Sequence, residues 1–281
     1  MAATSRVHYY HGEACGFGGV FQSPIQQTIA PQASLSLPPS GGYGSVTTEN
    51  FQLENLIKYT MASTSVSGQL QSEGWVTTVA TTVENLNVMG ILTADTLSAQ
   101  ISTVHPLDGD NPTVSFVGTT INNLQISGVP LKVTLGLNIC AQADMAKNGF
   151  PADPCVNDEG FLAQVAAQYQ NITAGKGVPS WIPAFYDPAN LEDEECGSVL
   201  CSVVSGVSGG SASSPFTSYG NILVVPTLGN VFLGELLVDC KSYRLSALRL
   251  ELSGRAQGQH SCSTASANGS TEPPSSQLPS A

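Results

Sequence analysis

The sequence predicts an all-β fold, an antiparallel β-sandwich with one small helical, cysteine-containing insertion. Long segments alternate polar and apolar residues and are rich in Val and Thr, which is typical of half-buried strands. Charged residues make up only 11% of the 281 residues, which argues against a coiled coil or a helix bundle. Hydrophobic residues make up 41%, which is enough to build a packed core and excludes a wholly disordered chain.

Strand candidates follow one another along most of the chain. The clearest early ones lie at residues 76–87 and 92–101. Residues 222–225 and 231–238 are apolar and are separated by a short Pro- and Gly-containing segment, which predicts a hairpin. Residues 243–252 alternate again, so regular strands are expected on both sides of the middle of the chain.

An internal repeat connects two of these segments. Residues 81–88 (TTVENLNV) resemble residues 119–126 (TTINNLQI) at an offset of 38, and each copy reaches a glycine two positions later. Residues 47–53 give a degenerate third copy. Two interpretations stay open: equivalent strands of one sandwich, which fits two convincing copies better, and a β-solenoid, which needs at least three stacked units.

A change in composition predicts an insertion at about residues 141–210. It contains the one good helix candidate, residues 158–170 (DEGFLAQVAAQYQ), with acidic residues in the first turn and apolar residues on one face. We therefore expect a flexible N-terminus at residues 1–13, a single β-domain at residues 14–252 and a disordered polar tail at residues 253–281. Any function is expected in the insertion.

The charge balance bears on the partners. Nine basic residues face 21 acidic ones, so the net charge is −12 and no nucleic-acid partner is expected. No apolar run approaches the roughly 18 residues of a membrane-spanning helix. Asp108 and Asp110 flank a glycine and would suit a weak calcium site, or else form an Asx-rich turn. Residues 192–195 (EDEE) are a second acidic cluster, more typical of a solvated surface.

The seven cysteines indicate an oxidising compartment. They lie mostly in loops or at the ends of apolar runs, without zinc-like spacing. We predict that Cys196 pairs with Cys201 and Cys140 with Cys155; buried free thiols are the alternative. An odd number leaves at least one thiol unpaired, and Cys262 in the predicted polar tail is the candidate.

No motif for catalysis or for a cofactor stands out. His105 is the only plausible catalytic imidazole. Together with Asp108 and a serine, it would supply the residue types of a Ser-His-Asp catalytic triad. A nucleotide-binding loop is absent. We therefore predict no catalytic residues and no cofactor.

Three segments resemble the choice-of-anchor P family of bacterial proteins. They are residues 37–42 (LPPSGG), 83–95 (VENLNVMGILTAD) and 116–130 (FVGTTINNLQISGVP). The resemblance covers roughly residues 14–137. It implies an exported or surface-attached β-domain with no established catalytic role, and hence no functional residues to carry over. A signal peptide is not visible in this chain.

These observations lead to one leading hypothesis and two alternatives. The leading one is an acidic, secreted or cell-surface β-protein with a structural or adhesive role that is not an enzyme. The first alternative is a carbohydrate- or calcium-binding module, in which exposed aromatic rings would stack on sugars, such as Tyr59, Trp75, Trp181 and Tyr186. The second is a hydrolase with its site in the 141–210 insertion.

Overall fold

The computed structural model describes residues 6–107, 112–140, 159–175, 177–187, 198–211, 213–239 and 242–272. These residues form nineteen strands and two helices, so the prediction of an all-β fold is confirmed. The strands are β1 Val7–Ser23, β2 Gln27–Gln32, β3 Leu35–Ser36, β4 Gly42–Leu53, β5 Ile57–Gln71, β6 Gly74–Val88, β7 Leu92–His105, β8 Thr113–Ser115, β9 Thr120–Asn122, β10 Gln125–Ile126, β11 Val129–Pro130, β12 Lys132–Leu135, β13 Val199–Ser202, β14 Val204–Ser208, β15 Thr217–Tyr219, β16 Ile222–Val225, β17 Gly229–Val238, β18 Tyr243–Ser253 and β19 Gln257–Glu272. The helices are α1 Glu159–Thr173 and α2 Trp181–Tyr186.

Two antiparallel sheets pack face to face. The nine-stranded sheet has the order β15-β16-β17-β18-β19-β1-β2, with β13 beside β17 and β3 beside β1. The eight-stranded sheet has the order β11-β10-β7-β6-β5-β4, with β8 and β9 beside β7, and β12 and β14 form a separate pair. Strands β1, β18 and β19 of the first sheet contact β5, β6 and β7 of the second. The architecture is thus the predicted sandwich, and the solenoid alternative is wrong.

The core lies between the two sheets. Phe17 and Phe21 enter it from β1, and Leu97 and Ile101 enter it from β7; none of the four is exposed. Direct hydrogen bonds also join the sheets: the Ser263 hydroxyl of β19 donates to the carbonyl oxygen of Leu97 at 2.7 Å. The segment of alternating Val and Thr residues in β6 forms a strand because every second side chain packs against the other sheet.

Glycines let β1 approach the facing sheet closely. A Cβ on Gly12 would lie 2.8 Å from Cγ2 of Val79, and one on Gly16 would lie 2.8 Å from Cβ of Ala62. Both separations are shorter than a carbon–carbon contact permits. The close packing of β1 on β5 and β6 therefore requires glycine at these two positions.

The predicted disorder at both ends of the domain is wrong where the structure describes them. Residues 257–272 form β19, which pairs with β18 on one side and with β1 on the other. Residues 7–13, predicted to be flexible, belong to β1. Cys262 is buried in β19 and does not lie in a polar tail. The prediction failed because β19 is built from Ala, Ser, Thr and Gly, whose small side chains fit a crowded central strand but resemble a linker in composition.

The predicted insertion is shorter than expected. Its helix is confirmed as α1, which buries Phe161, Val165 and Ile172. Residues 199–202 form β13, which pairs with β17 of the nine-stranded sheet. Residues 204–208 form β14, which pairs with β12. The last part of the 141–210 segment is therefore integrated in the β-structure.

Three buried histidines occupy the interior. The ring of His8 stacks on Trp75, with centroids 5.1 Å apart, and its centroid lies 4.8 Å from that of His105. His260 packs against Phe21, and neither of its ring nitrogens has a hydrogen-bond partner among the described residues. Burial lowers the pKa of His8 to about 4, and the neighbouring His105 adds to this effect. Burial alone lowers the pKa of His260 to about 4.

We expect the free energy of unfolding to decrease as the pH falls from about 6.5 to about 4. In the unfolded chain His8 and His260 take up a proton near their ordinary pKa of 6.5, but in the folded protein only near pH 4. Between these values the unfolded state binds more protons, so acid favours it. Thermal melts across this range measure the loss.

Two variants test the origin of this acid sensitivity. His260→Phe should reduce the slope of stability against pH, because it removes one of the buried imidazoles. His11→Gln is the control, since His11 is exposed. A melting temperature that is equal at both ends of the range would contradict the prediction.

Candidate binding face

Three asparagines on the outer face of the eight-stranded sheet adopt the left-handed backbone conformation. They are Asn50 in β4 (φ 53°), Asn85 in β6 (φ 54°) and Asn123 between β9 and β10 (φ 50°). At each of them the inside–outside alternation shifts by one residue; in β6, for example, both Val83 and Leu86 are buried. Asparagine tolerates this conformation better than most residues. We call these three positions the bulges: two successive side chains face outward at each of them, while the register with the neighbouring strands stays unchanged.

The bulges lie side by side across the sheet. The flanking registers place Thr60 of β5 opposite both Asn50 and Asn85, and Asp95 of β7 opposite both Asn85 and Asn123. These five outward-facing residues form a continuous row, which we call the bulge row: Asn50, Thr60, Asn85, Asp95 and Asn123.

A second polar row runs parallel to the bulge row, two residues nearer to the hairpin turns. Its members are paired directly across five strands, and we call them the turn row: Gln52, Lys58, Asn87, Thr93 and Gln125. All ten side chains of the two rows are exposed or half-buried. Six of the ten are amides. We call the two rows together the polar grid.

The polar grid explains the repeat in the sequence. Each copy contains Asn, an inward-facing apolar residue and a second amide, with Phe51, Leu86 and Leu124 as the apolar residues. Four residues after each Asn, the chain again has a positive φ, at Glu54, Met89 and Ser127. The copies are thus equivalent bulge-and-turn units of one sheet, and the degenerate copy at residues 47–53 is structurally the third.

Hydrogen bonds hold the amides of the bulge row in place. Nδ2 of Asn85 donates to Oγ1 of Thr60 at 2.9 Å, and Nδ2 of Asn123 donates to Oδ2 of Asp95 at 2.7 Å. The equivalent amide of Asn50 lies on the edge strand and makes no hydrogen bond within the described part of the chain. In the turn row, Oδ1 of Asn87 accepts from the backbone N–H of Gly90 at 2.8 Å. The side chains of the bulge row are therefore held in place, and their remaining donors and acceptors are available to a ligand.

A groove follows the polar grid. A cavity of about 460 Å³ is lined by residues of β4, β5, β6 and β7, among them Asn50, Thr60, Asn85 and Asp95. A second cavity of about 280 Å³ adjoins it and shares residues of the turn row, namely Gln52, Lys58 and Asn87. The groove is open to solvent along the face, which permits an extended ligand.

The chemistry of the grid suits a ligand that is rich in hydroxyl groups. Each amide offers an acceptor oxygen and two N–H donors, and a hydroxyl needs both kinds of partner. One cation, Lys58, and one carboxylate, Asp95, balance each other within the grid. The ten grid residues include no His, Cys or Ser and no pair of carboxylates.

The aromatic residues expected to stack on sugars do not form an exposed platform. Tyr59, Trp75 and Tyr186 are only 3%, 9% and 4% exposed, so the expectation of exposed rings is wrong for them. Trp181 is half-buried and packs edge-on against Phe232, with centroids 5.9 Å apart. Tyr59 and Trp75 lie in strands and Trp181 and Tyr186 lie in α2, and the sequence did not tell which face each ring occupies.

Other predicted site residues lie apart from the grid. Asp108, Asp110, Cys155, Cys196 and residues 192–195 lie outside the described residues, so the calcium site and both disulfide pairings stay predictions. Cys140 and Cys201 are buried, and His105 belongs to the interior cluster with His8. Among the described residues, no group of three or more His, Cys, Asp and Glu side chains is placed to hold a metal ion.

A buried charge network on the nine-stranded sheet was not predicted. Arg249 of β18 donates from Nε and Nη2 to Glu235 of β17 and from Nη1 to Glu251. Its guanidinium lies 3.7 Å from the centroid of the Phe232 ring, and the Tyr186 hydroxyl of α2 donates to Glu235. Burial would lower the pKa of Arg249, but Glu235 and Glu251 more than offset this and raise it. The network attaches α2 to the sheet.

The fold and the grid define the protein as an antiparallel β-sandwich with a polar, amide-rich groove on one outer face. Residues 8–239 match the family described as Domain of unknown function (DUF8256), and the chain belongs to this family. The match includes the entire polar grid, whereas β18 and β19 follow it in the chain. No curated protein and no solved structure matches the chain. Neither of the two described helices has the length and apolarity needed to cross a membrane.

Proposed function

We propose that this protein is an exported, cell-surface β-sandwich with an adhesive, non-catalytic role, and that it acts by binding carbohydrate through the polar grid. The observation that carries the proposal is the polar grid, which presents six amides on one outer face. Four of them line the groove: Asn50, Gln52, Asn85 and Asn87. At each of the three asparagines two successive side chains face outward, which adds polar groups to this face. The resemblance to exported bacterial β-domains and the low content of charged residues support the cellular setting.

A comparison with the neighbouring half of the same outer face supports the proposal. Beyond the bulge row, Ser and Thr side chains bond mainly to each other, as in the 3.0 Å contacts of Thr78 with Ser102 and of Thr82 with Ser98. Their capacity is used within the sheet. The grid amides are longer, four of the six line the groove, and their side chains keep unused donors and acceptors, which recognition of sugar hydroxyls needs.

A glycan array followed by calorimetry tests the proposal. We expect saccharide binding that the double variant Asn85→Gly/Asn87→Ala weakens by roughly 10- to 100-fold, since it removes two to three hydrogen bonds of about 0.5–1.5 kcal/mol each. Glycine at position 85 keeps the positive φ without strain. The matched control, Ser63→Ala/Ser65→Ala, changes the same face of β5 outside the grid and should bind normally.

The same measurements can contradict the proposed carbohydrate binding. If no saccharide binds at millimolar concentration, or if the grid variant binds as well as the control with unchanged thermal stability, the carbohydrate role is wrong. Circular dichroism of both variants checks that the sheet is intact.

A further inference from the structure

We infer that the ligand is a linear, neutral polysaccharide chain of the flat β-1,4-linked type, which lies across the strands and occupies five subsites, one on each strand. The inference rests on the proposed function and adds the form of the ligand and its direction on the sheet.

The register of the strands indicates the direction in which the ligand lies on the sheet. The bulge row and the turn row run perpendicular to the strands and are separated by two residues, or about 6.8 Å. Each strand therefore contributes one side chain to either side of a track. The five pairs, from the open edge inward, are Asn50 with Gln52, Thr60 with Lys58, Asn85 with Asn87, Asp95 with Thr93, and Asn123 with Gln125.

The spacing supplies the length. Neighbouring strands lie about 4.8 Å apart, so the five pairs span roughly 19 Å. This span is several times that of a single sugar ring, whereas it accommodates an extended oligosaccharide. The site is therefore long enough for one sugar unit on each strand.

The alternation of side chains along the track indicates which glycosidic linkage the ligand has. Amide pairs recur on β4, β6 and β10, and the pairs on β5 and β7 between them carry Thr with Lys58 or Asp95. The site thus repeats every two strands, or about 9.6 Å. A flat β-1,4-linked chain also repeats every two units, because successive sugars are turned over. The two periods match, so equivalent faces of the sugar meet equivalent amide pairs.

Charge and exposure agree with a neutral polymer bound along its length. The grid holds one positive and one negative side chain, and the chain's net charge of −12 repels polyanions. The track reaches the edge strand β4, where Asn50 has no hydrogen-bond partner within the described residues. A polymer can continue past this edge, so the site does not require a chain end.

Calorimetry with oligomers of one to six units tests the inference, with β-1,4-linked glucose and β-1,4-linked N-acetylglucosamine oligomers as the two probe series. We expect the affinity of at least one series to rise by roughly 2- to 10-fold with each unit up to five and then to level off. Linear α-1,4-linked glucose oligomers, which coil, should bind more weakly at every length.

Two matched double variants locate the subsites. A trimer on five subsites always covers the central pair, so Asn85→Gly/Asn87→Ala should weaken both trimer and pentamer by roughly 10-fold or more. The edge variant Asn50→Gly/Gln52→Ala should weaken the pentamer to a similar extent and leave the trimer unchanged, because the trimer can occupy the other subsites.

The outcomes separate the inference from the proposed function. If saccharides bind but affinity does not grow with length, or if only chains of another linkage bind, the inference is overturned and the carbohydrate role stands. Equal effects of the edge and central variants on the trimer would also overturn it. If no saccharide of any kind binds, both fail.

Discussion

We expect Ala265→Asp to lower the free energy of unfolding by at least about 3 kcal/mol. Ala265 is fully buried in β19, where it lies opposite Ala14 of β1 and Leu245 of β18. A carboxylate at this position has no cation to pair with and no water to solvate it. Urea denaturation, followed by tryptophan fluorescence and circular dichroism, measures the loss.

The next residue provides the control. Ser266 faces outward, with Glu13 on one side and Arg244 on the other, so Ser266→Asp should change stability by less than about 0.5 kcal/mol. Both variants carry the same charge and lie in the same strand. If both are as stable as the parent protein, β19 is not a central strand of the sheet.

We expect Arg249→Met to lower the free energy of unfolding by about 3–5 kcal/mol, because it leaves the carboxylate of Glu235 buried without a cation. The Glu235 side chain is only 7% exposed, and Arg249 supplies two of its hydrogen bonds. The double variant Glu235→Gln/Arg249→Met should recover much of this loss, since it removes both charges together. Denaturation of the single and double variants gives the coupling free energy.

Arg244 is the matched control for this network. It lies five residues earlier in β18 and is exposed, so Arg244→Met should have little effect on stability. If Arg249→Met is equally mild, the network does not stabilise the fold and α2 is held to the sheet by its apolar contacts with Ile222 and Phe232.

The strands were predictable where buried positions carry apolar residues and exposed positions carry polar ones. In β6 and β7, Val, Leu and Ile alternate with Thr and Ser, and the hairpin of β16 and β17 has apolar arms around a turn. β19 was not predictable in this way, because Ala265 and Ala267 are small enough to be buried in a strand and common enough in linkers to suggest disorder.

The polar grid was visible in the sequence only as a repeat. The copies at residues 81–88 and 119–126 indicated equivalent strands, but the grid itself follows from the spacing of two residues between the amides. That spacing puts both amides on one face of a strand. Which face it is, and that the rows of five strands align, depends on the bulges and on register. The contact of Glu235 with Arg249 likewise follows from pairing between neighbouring strands, which composition does not reveal.

The pairing of β1 with β19 has a consequence for folding during synthesis. Val7 pairs with Glu272 and Ser23 pairs with Gln257, so β1 can pair with β2 early, but its other edge stays unpaired until β19 has been synthesised. The hairpins of β4 to β7, by contrast, form from adjacent segments. Long-range pairing is slow because distant segments must meet. During synthesis the ribosome therefore holds a chain in which strands β4 to β7 can already pair while the nine-stranded sheet is still incomplete.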